Sequence, residues 1–261
     1  MKALFLDIDG VLQSGGSGER FKHTSEFIEL SKRLTHELNN GFDYYKYGGE
    51  PLNGSKFPPS EQYDIAAVYY DWLPKTVEII KDILDNTGAK IILSSDWREK
   101  GIQVMKGLMD IHGLGKYLYP TAPFYLAKWK QYVRDLYSED ELYEMTDDTD
   151  QVMEGLLKCM KDYYSNQLDR RVYIEPRVAE IREFLDRHQE ITAYVALDDL
   201  NLETGLDGHF IRTWSLVKEE QTDDIVSILN REDGPYPLPE AAITPELKQW
   251  REKWVCNCRY L

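Results

Sequence analysis

The chain has 261 residues and a formal net charge of −15, from 31 Lys and Arg against 46 Asp and Glu. That balance argues against a general nucleic-acid binder, whose hold on phosphate backbones comes from clustered basic side chains. It leaves room for a small basic pocket, or for a bound cation that offsets the negative field. Hydrophobic residues make up 42%, enough for a sizeable core, and no apolar run approaches the ~20 residues of a membrane span.

The chain opens directly on a short apolar run, Ala3-Leu4-Phe5-Leu6. It lacks the charged region, long apolar stretch and cleavage site of a secretory signal. Three cysteines, Cys159, Cys256 and Cys258, do not make a disulfide framework. A soluble, reducing, cytoplasmic setting is the expectation.

Residues 3–6 read as a strand buried on both faces, and Asp7-Ile8-Asp9-Gly10-Val11-Leu12 follows at once. From 13 to 71 the texture changes to a first insert. A glycine-rich loop comes first. Phe27, Ile28, Leu30, Leu34 and Leu38 then predict one helix, and glycines and prolines among tyrosines predict irregular structure up to about residue 70. Order returns at Leu73-Pro74 with a helix carrying Val77, Ile80 and Leu84, Pro74 near its start and Gly88 just past its end. Lys90 to Leu93 is the next strand, followed by Ser94-Ser95-Asp96-Trp97-Arg98 and a helix over about 101–112.

Residues 115–172 read as a second, aromatic and acidic insert with two helices. The run Asp147-Asp148-Thr149-Asp150 is read there as a helix start or solvated turn rather than a metal site. After Pro176, Val178, Ile181, Phe184 and Leu185 mark a helix face. Ala193 to Leu197 is a strand ending in Asp198-Asp199, and His209 to Thr213 is another. Thr222 is placed to cap a helix carrying Ile225, Ile228 and Leu229, and Thr244-Pro245 opens a last helix in a tail over 236–261. The α/β core thus comprises 1–12, 72–114 and 173–235. Alternating strands and helices imply crossovers, hence a doubly wound, mostly parallel sheet with inserted helical segments. Ligands bind beyond the carboxyl ends of such strands. Asp7/Asp9, Ser94/Ser95 and Asp198/Asp199 all fall at that edge.

Asp7 and Asp9 sit two apart at a strand end and repel unless a cation lies between them. Few hard oxygen ligands suit Mg²⁺ shared with a phosphate. Gly10 lets the backbone turn and come close to a ligand. The EF-hand alternative lacks its third acid, its distal Glu and its flanking helices. Ser94 is read as phosphate-binding, against a helix cap by Ser94, Ser95 or Asp96. Asp198 and Asp199 are read as completing the metal site, Asp198 first, against an Asx turn. A cation is also needed against the phosphoryl group. Arg177 is the candidate, with Lys161 and Arg171 as competitors. The five histidines form no metal-ligand spacing, and Cys256-x-Cys258 has no second pair to make a zinc site.

Together these segments resemble the haloacid dehalogenase superfamily, most of whose members are phosphatases. Asp7-Ile8-Asp9-Gly10-Val11-Leu12 is similar to its first motif and Ile92-Leu93-Ser94 to its second. Arg177 falls at its third, and Leu197-Asp198-Asp199 is similar to its fourth. The stretch Ser94 to Arg98 with that ending resembles a subgroup of small members, some associated with RNA-repair proteins. The resemblance covers about 1–12, 72–112 and 174–230. It implies a HAD-like Rossmannoid core in which Asp7 attacks phosphorus to form an aspartyl-phosphate. It implies that Asp9 protonates the leaving group and then activates water. Mg²⁺ would be held by Asp7, the backbone carbonyl of Asp9, and Asp198, and Ser94 and Arg177 would hold the other phosphoryl oxygens. The inserts fall where the superfamily places caps. Tyr44, Tyr45, Tyr47 and Trp129 are lid residues on that reading, and simple packing residues otherwise.

Three functions follow: a phosphomonoesterase for a small metabolite or nucleotide, a polynucleotide-end phosphatase in RNA repair, or a binding module that lost turnover. Complete acids at 7, 9 and 198 argue against the last. The expected partner is a small phosphorylated substrate, with no membrane.

Overall fold

The computed structural model describes residues 1–14, 18–51, 55, 57–122, 176–206 and 208–238. Among them, β1 (Lys2–Leu6), β2 (Lys90–Leu93), β3 (Ala193–Asp198) and β4 (Phe210–Arg212) form one sheet in the order β2-β1-β3-β4. Every pairing is parallel, with Leu6 of β1 opposite Leu93 on one side and Leu197 on the other. Leu4 and Leu6 point to one face and Ala3 and Phe5 to the other, and all four are fully buried, as a sheet covered on both sides requires.

The chain steps outward from β1 to β2 and then returns past β1 to β3. Strand order therefore reverses between β1 and β3, and the crevice beyond their carboxyl ends is the position where such sheets hold ligands. The expected strand over 209–213 has its paired core at Phe210–Arg212. Its flanks still bond: Ala196 N–H donates to the His209 carbonyl at 2.8 Å and Thr213 N–H to the Asp198 carbonyl at 3.1 Å.

Helix α1 (Phe27–Leu38) buries Phe27, Leu30, Ser31 and Leu34, the stripe of a 3.6-residue period. A short helix α2 (Tyr44–Gly48) follows. The stretch expected to be irregular up to residue 70 is instead helical from α3 (Ser60–Ala66) into a π-turn over Ala67–Asp71. Pro58 and Pro59 precede that helix, where proline is compatible with a start rather than a break. Its buried Asp71 is answered by Arg20, whose backbone N–H reaches Oδ1 at 3.0 Å and whose Nη1 reaches Oδ2 at 2.7 Å.

Helix α4 (Pro74–Thr87) has Pro74 in its first turn and ends on Gly88 at φ 68°. Helix α5 (Ile102–Asp110) lacks a side chain at Gly107, and a Cβ there would lie 2.3 Å from the Phe42 ring. Tyr44 is fully buried and donates its hydroxyl to the Gly107 carbonyl at 2.5 Å. Tyr44 is thus a packing residue, and the helices of residues 18–71 join β1, α4 and α5 in one hydrophobic core. Leu118, at the start of the expected second insert, bridges to Ile91 at the outer edge of β2.

The chain divides into two compact units. The first comprises Met1–Pro123, Ile191–Glu203 and Gly208–Gly234, and the second Phe124–Glu190, Thr204–Asp207 and Pro235–Leu261. In the second, α6 (Pro176–Arg187) buries Val178, Ile181, Phe184 and Leu185, as its spacing predicts. Arg182 there donates from Nε to the carbonyl of Gly205 in α7 (Glu203–Leu206) at 2.6 Å. Helix α8 (Thr222–Leu229), in the first unit, buries Ile225, Ile228 and Leu229. It continues a 3₁₀ turn over Glu219–Gln221, so Thr222 is its first residue and not its cap. The helices expected over 115–172 and from Thr244, the run at 147–150, Trp129, Lys161, Arg171 and the three cysteines lie outside the described residues.

Candidate active site

Strand β1 ends at Leu6, and Asp7 continues its line, donating its N–H to the Leu197 carbonyl of β3 at 3.0 Å. Strand β3 ends at Asp198. Because β1 and β3 are neighbours in register, their terminal acids meet. One carboxylate oxygen from each of Asp7, Asp198 and Asp199 lies within 4.8 Å of the others. Asp7 is 5% exposed and Asp198 1%. Carboxylates so close repel one another and favour a cation between them. An all-oxygen donor set of this kind fits Mg²⁺.

The loop after Asp7 is wound tightly. The carbonyl of Ile8 accepts from the N–H groups of Val11, Leu12 and Gln13 at 3.2, 2.9 and 3.2 Å, and Gly10 N–H donates to the Gln13 carbonyl at 2.7 Å. Gly10 has φ 75° and backs onto Asp199; a Cβ there would sit 2.5 Å from the Asp199 Cβ. Glycine is required twice over, by conformation and by space. Thr213, just past β4, donates its hydroxyl to the Gly10 carbonyl at 2.5 Å. The turn carrying the first two acids is thereby tied to the end of β4, the neighbour of the strand carrying the other two. With the Gly10 N–H used inside the turn, what Gly10 offers a ligand is its bare Cα.

Asp9 lies outside the carboxylate cluster and is exposed. Its side chain is held by two donors, Gln13 Nε2 to Oδ1 at 2.6 Å and Trp97 Nε1 to Oδ2 at 3.0 Å. Trp97 comes from the 3₁₀ turn Asp96–Lys100 after β2. Sequence reasoning quoted Trp97 only as part of a motif and missed both partners of Asp9. Gln13, four residues on and back across the Gly10 turn, was the available signal.

Ser94 is 1% exposed, and its N–H is committed to the Leu6 carbonyl at 3.0 Å. Its hydroxyl is what remains to meet a ligand at this edge. Ser95 caps the following turn, accepting from Trp97 N–H at 3.4 Å. Buried Arg98 reaches back with Nη1 to the carbonyls of Ser94 and Ser95 at 2.9 and 2.8 Å, fixing the loop's path. Asp198 also makes an Asx turn: its Oδ1 accepts from Leu200 N–H at 2.9 Å. The Asx turn and the acid cluster thus share one side chain. Arg177 lies in the first turn of α6, half-buried in the second compact unit.

Among the described residues no helix is long and apolar enough to cross a membrane. No curated protein matches the chain, and no solved structure matches it. A family model does, over residues 3–217, described as the HAD domain in Swiss Army Knife RNA repair proteins. That span takes in Asp7, Asp9, Ser94 and Asp198 with the sheet that presents them, and HAD families are generally of hydrolase type. With a parallel α/β sheet of this order and an acid cluster at its switch point, the chain belongs to this family of HAD domains associated with RNA repair.

Proposed function

We propose that the protein is a Mg²⁺-dependent phosphohydrolase that cleaves a phosphomonoester of a small metabolite or nucleotide through an aspartyl-phosphate on Asp7. The observation that carries this reading is the meeting of Asp7, Asp198 and Asp199 at the β1–β3 switch point. A carboxylate oxygen of Asp7 attacks phosphorus, and the bond from phosphorus to the leaving oxygen breaks. Asp9, exposed and held by Gln13 and Trp97, gives its proton to that oxygen. Asp9 then takes a proton from water as the water oxygen attacks the phosphoaspartate. The bond from phosphorus to Asp7 breaks, releasing inorganic phosphate and restoring both acids.

The Ser94 hydroxyl orients one of the remaining phosphoryl oxygens, and a basic side chain is needed against the others. Mg²⁺ would be held by Asp7, Asp198, Asp199 and the Asp9 carbonyl, and would neutralise charge on the phosphoryl group. A cytoplasmic setting suits this chemistry. A polynucleotide end is the second reading of the substrate, favoured by the family's association with RNA repair and disfavoured by the net charge of −15.

The test is phosphate release from a generic aryl phosphate with Mg²⁺, with EDTA, and with Asp7→Asn. Release that needs Mg²⁺ and is lost in the variant supports the mechanism. A folded protein inert towards a broad phosphoester panel, phosphorylated oligonucleotides included, would be a binding module instead.

A further inference from the structure

The loops after β3 and β4 each carry a large apolar side chain into solvent. Leu200 is 47% exposed and Trp214 73%. Asp198 and Arg212 are paired across β3 and β4, and each apolar residue lies two positions beyond its member of that pair. Both loops are tied to the acid cluster. Leu200 follows Asp198 and Asp199, and Thr213, next to Trp214, donates to the Gly10 carbonyl.

Trp214 also has φ 62°, and Ser215 N–H bonds across it to the Thr213 carbonyl at 2.8 Å. This is a tight turn of the γ type, in a conformation that bulky residues avoid. Glycine or asparagine would suit the backbone better, and burial does not explain an indole in solvent. Strain of this kind clusters at ligand-binding positions.

One face of the ring is covered. The Arg212 guanidinium lies 3.8 Å from its centroid and is itself fixed by Nε donating to the Asp199 carbonyl at 2.8 Å. Among the described residues the terminal amino groups of Arg212 make no hydrogen bond. The indole is therefore braced by a cation on one side, with an apolar neighbour strand-end at Leu200, all on loops anchored to the acids.

We propose that Trp214, backed by Arg212, is a stacking platform for the nucleobase of a phosphorylated nucleotide whose phosphate reaches Asp7. This rests on the phosphohydrolase reading and narrows its substrate class. A planar π-system is the group that an immobilised indole selects, because every base offers a stacking face. The free amino groups of Arg212 suit an anionic group beside that base.

The experiment compares adenosine monophosphate with ribose 5-phosphate, the same ester without the base, for wild type, Trp214→Ala and Trp214→Phe. The alanine variant should raise KM for the nucleotide roughly five- to a hundredfold, the span of a lost base–aromatic stack. It should leave ribose 5-phosphate within about twofold, and phenylalanine should restore most of the loss. An unchanged nucleotide KM, or equal shifts for both esters, overturns the platform while leaving the phosphohydrolase standing. If neither ester is hydrolysed, the phosphohydrolase reading is decided by the broader phosphoester panel and the platform by calorimetric binding alone. Its preference for the nucleotide over ribose 5-phosphate must then be present and must vanish in Trp214→Ala, or the proposal fails too. A phosphorylated oligonucleotide bound more tightly than the mononucleotide, with the same dependence on Trp214, assigns the base to a strand end. The opposite order assigns it to a free nucleotide.

Discussion

The indole N–H of Trp97 donates to Oδ2 of Asp9 at 3.0 Å, while Gln13 occupies Oδ1 at 2.6 Å. An exposed carboxylate is thereby given a fixed orientation by a residue from the loop after β2. If Asp9 is the acid that protonates the leaving group, Trp97 positions it. Trp97→Phe should lower kcat for an alkyl phosphate by about tenfold, within the range of one hydrogen bond to a charged group. It should lower kcat much less for a nitrophenyl phosphate, whose leaving group needs little protonation. Steady-state kinetics on the two esters decide the matter; equal losses would mean that Trp97 supports only the fold.

The acid cluster predicts metal-linked stability. Any ligand that binds only the folded state raises its stability by about 2.7 kcal/mol at a hundredfold excess over Kd. Thermal melts should rise with Mg²⁺ in wild type and stay flat in Asp198→Asn, because that variant removes a buried member of the cluster. Parallel rises in both proteins would place the cation elsewhere.

Gly10 is fixed in the loop after Asp7 by both conformation and space. Gly10→Ala forces a side chain to φ 75° and to within 2.5 Å of the Asp199 Cβ. The expected cost is about 2–4 kcal/mol, from a disfavoured conformation combined with overpacking. Urea unfolding measures it. Thr213→Val, which keeps the shape but drops the bond to the Gly10 carbonyl, should cost about 1–2 kcal/mol.

His112 supplies a pH dependence. It follows α5, bonds through Nε2 to the Val68 carbonyl at 2.6 Å and stacks on Trp72 with centroids 5.8 Å apart. Burial holds its pKa below the ordinary 6.5, with nearby Lys81 acting in the same direction and the Val68 bond opposing. Below 6.5 the unfolded chain takes up a proton that the folded chain resists. This contribution to stability is fully present above 6.5 and is lost as pH falls beneath it. Denaturation curves at pH 7.5 and 5.5 should show a drop for wild type that shrinks in His112→Phe. An unchanged drop would assign the dependence to other groups.

The sheet was legible because apolar runs such as Ala3–Leu6 and Ile91–Leu93 have few alternatives, and because the acids after β1 and β3 mark strand ends. Helix α4 was legible from Pro74 and Gly88, which set its limits by backbone chemistry alone. What escaped was tertiary. The helix over 60–66 follows two prolines that read as breakers, and its buried face, ending in Asp71, makes sense only once Arg20 is seen beside it. Tyr44 was weighed as a lid residue because nothing in its neighbourhood reveals that Gly107, far along the chain, leaves a carbonyl for its hydroxyl. In the site, the meeting of Asp7 with Asp198 followed from topology. The partners of Asp9 did not, because the indole that reaches it comes from beyond a different strand.

Strand β1 lies between β2 and β3, with Lys2 registered against Ala193. During synthesis the residues of β1 therefore wait for a partner strand that is made much later. Contacts of such high sequence separation form late and slowly. A nascent chain holds Asp7 but no cluster until β3 has been made and docked. For a protein whose cluster takes up a cation, the interval between collapse and the gain of metal affinity would report when β3 closes onto β1.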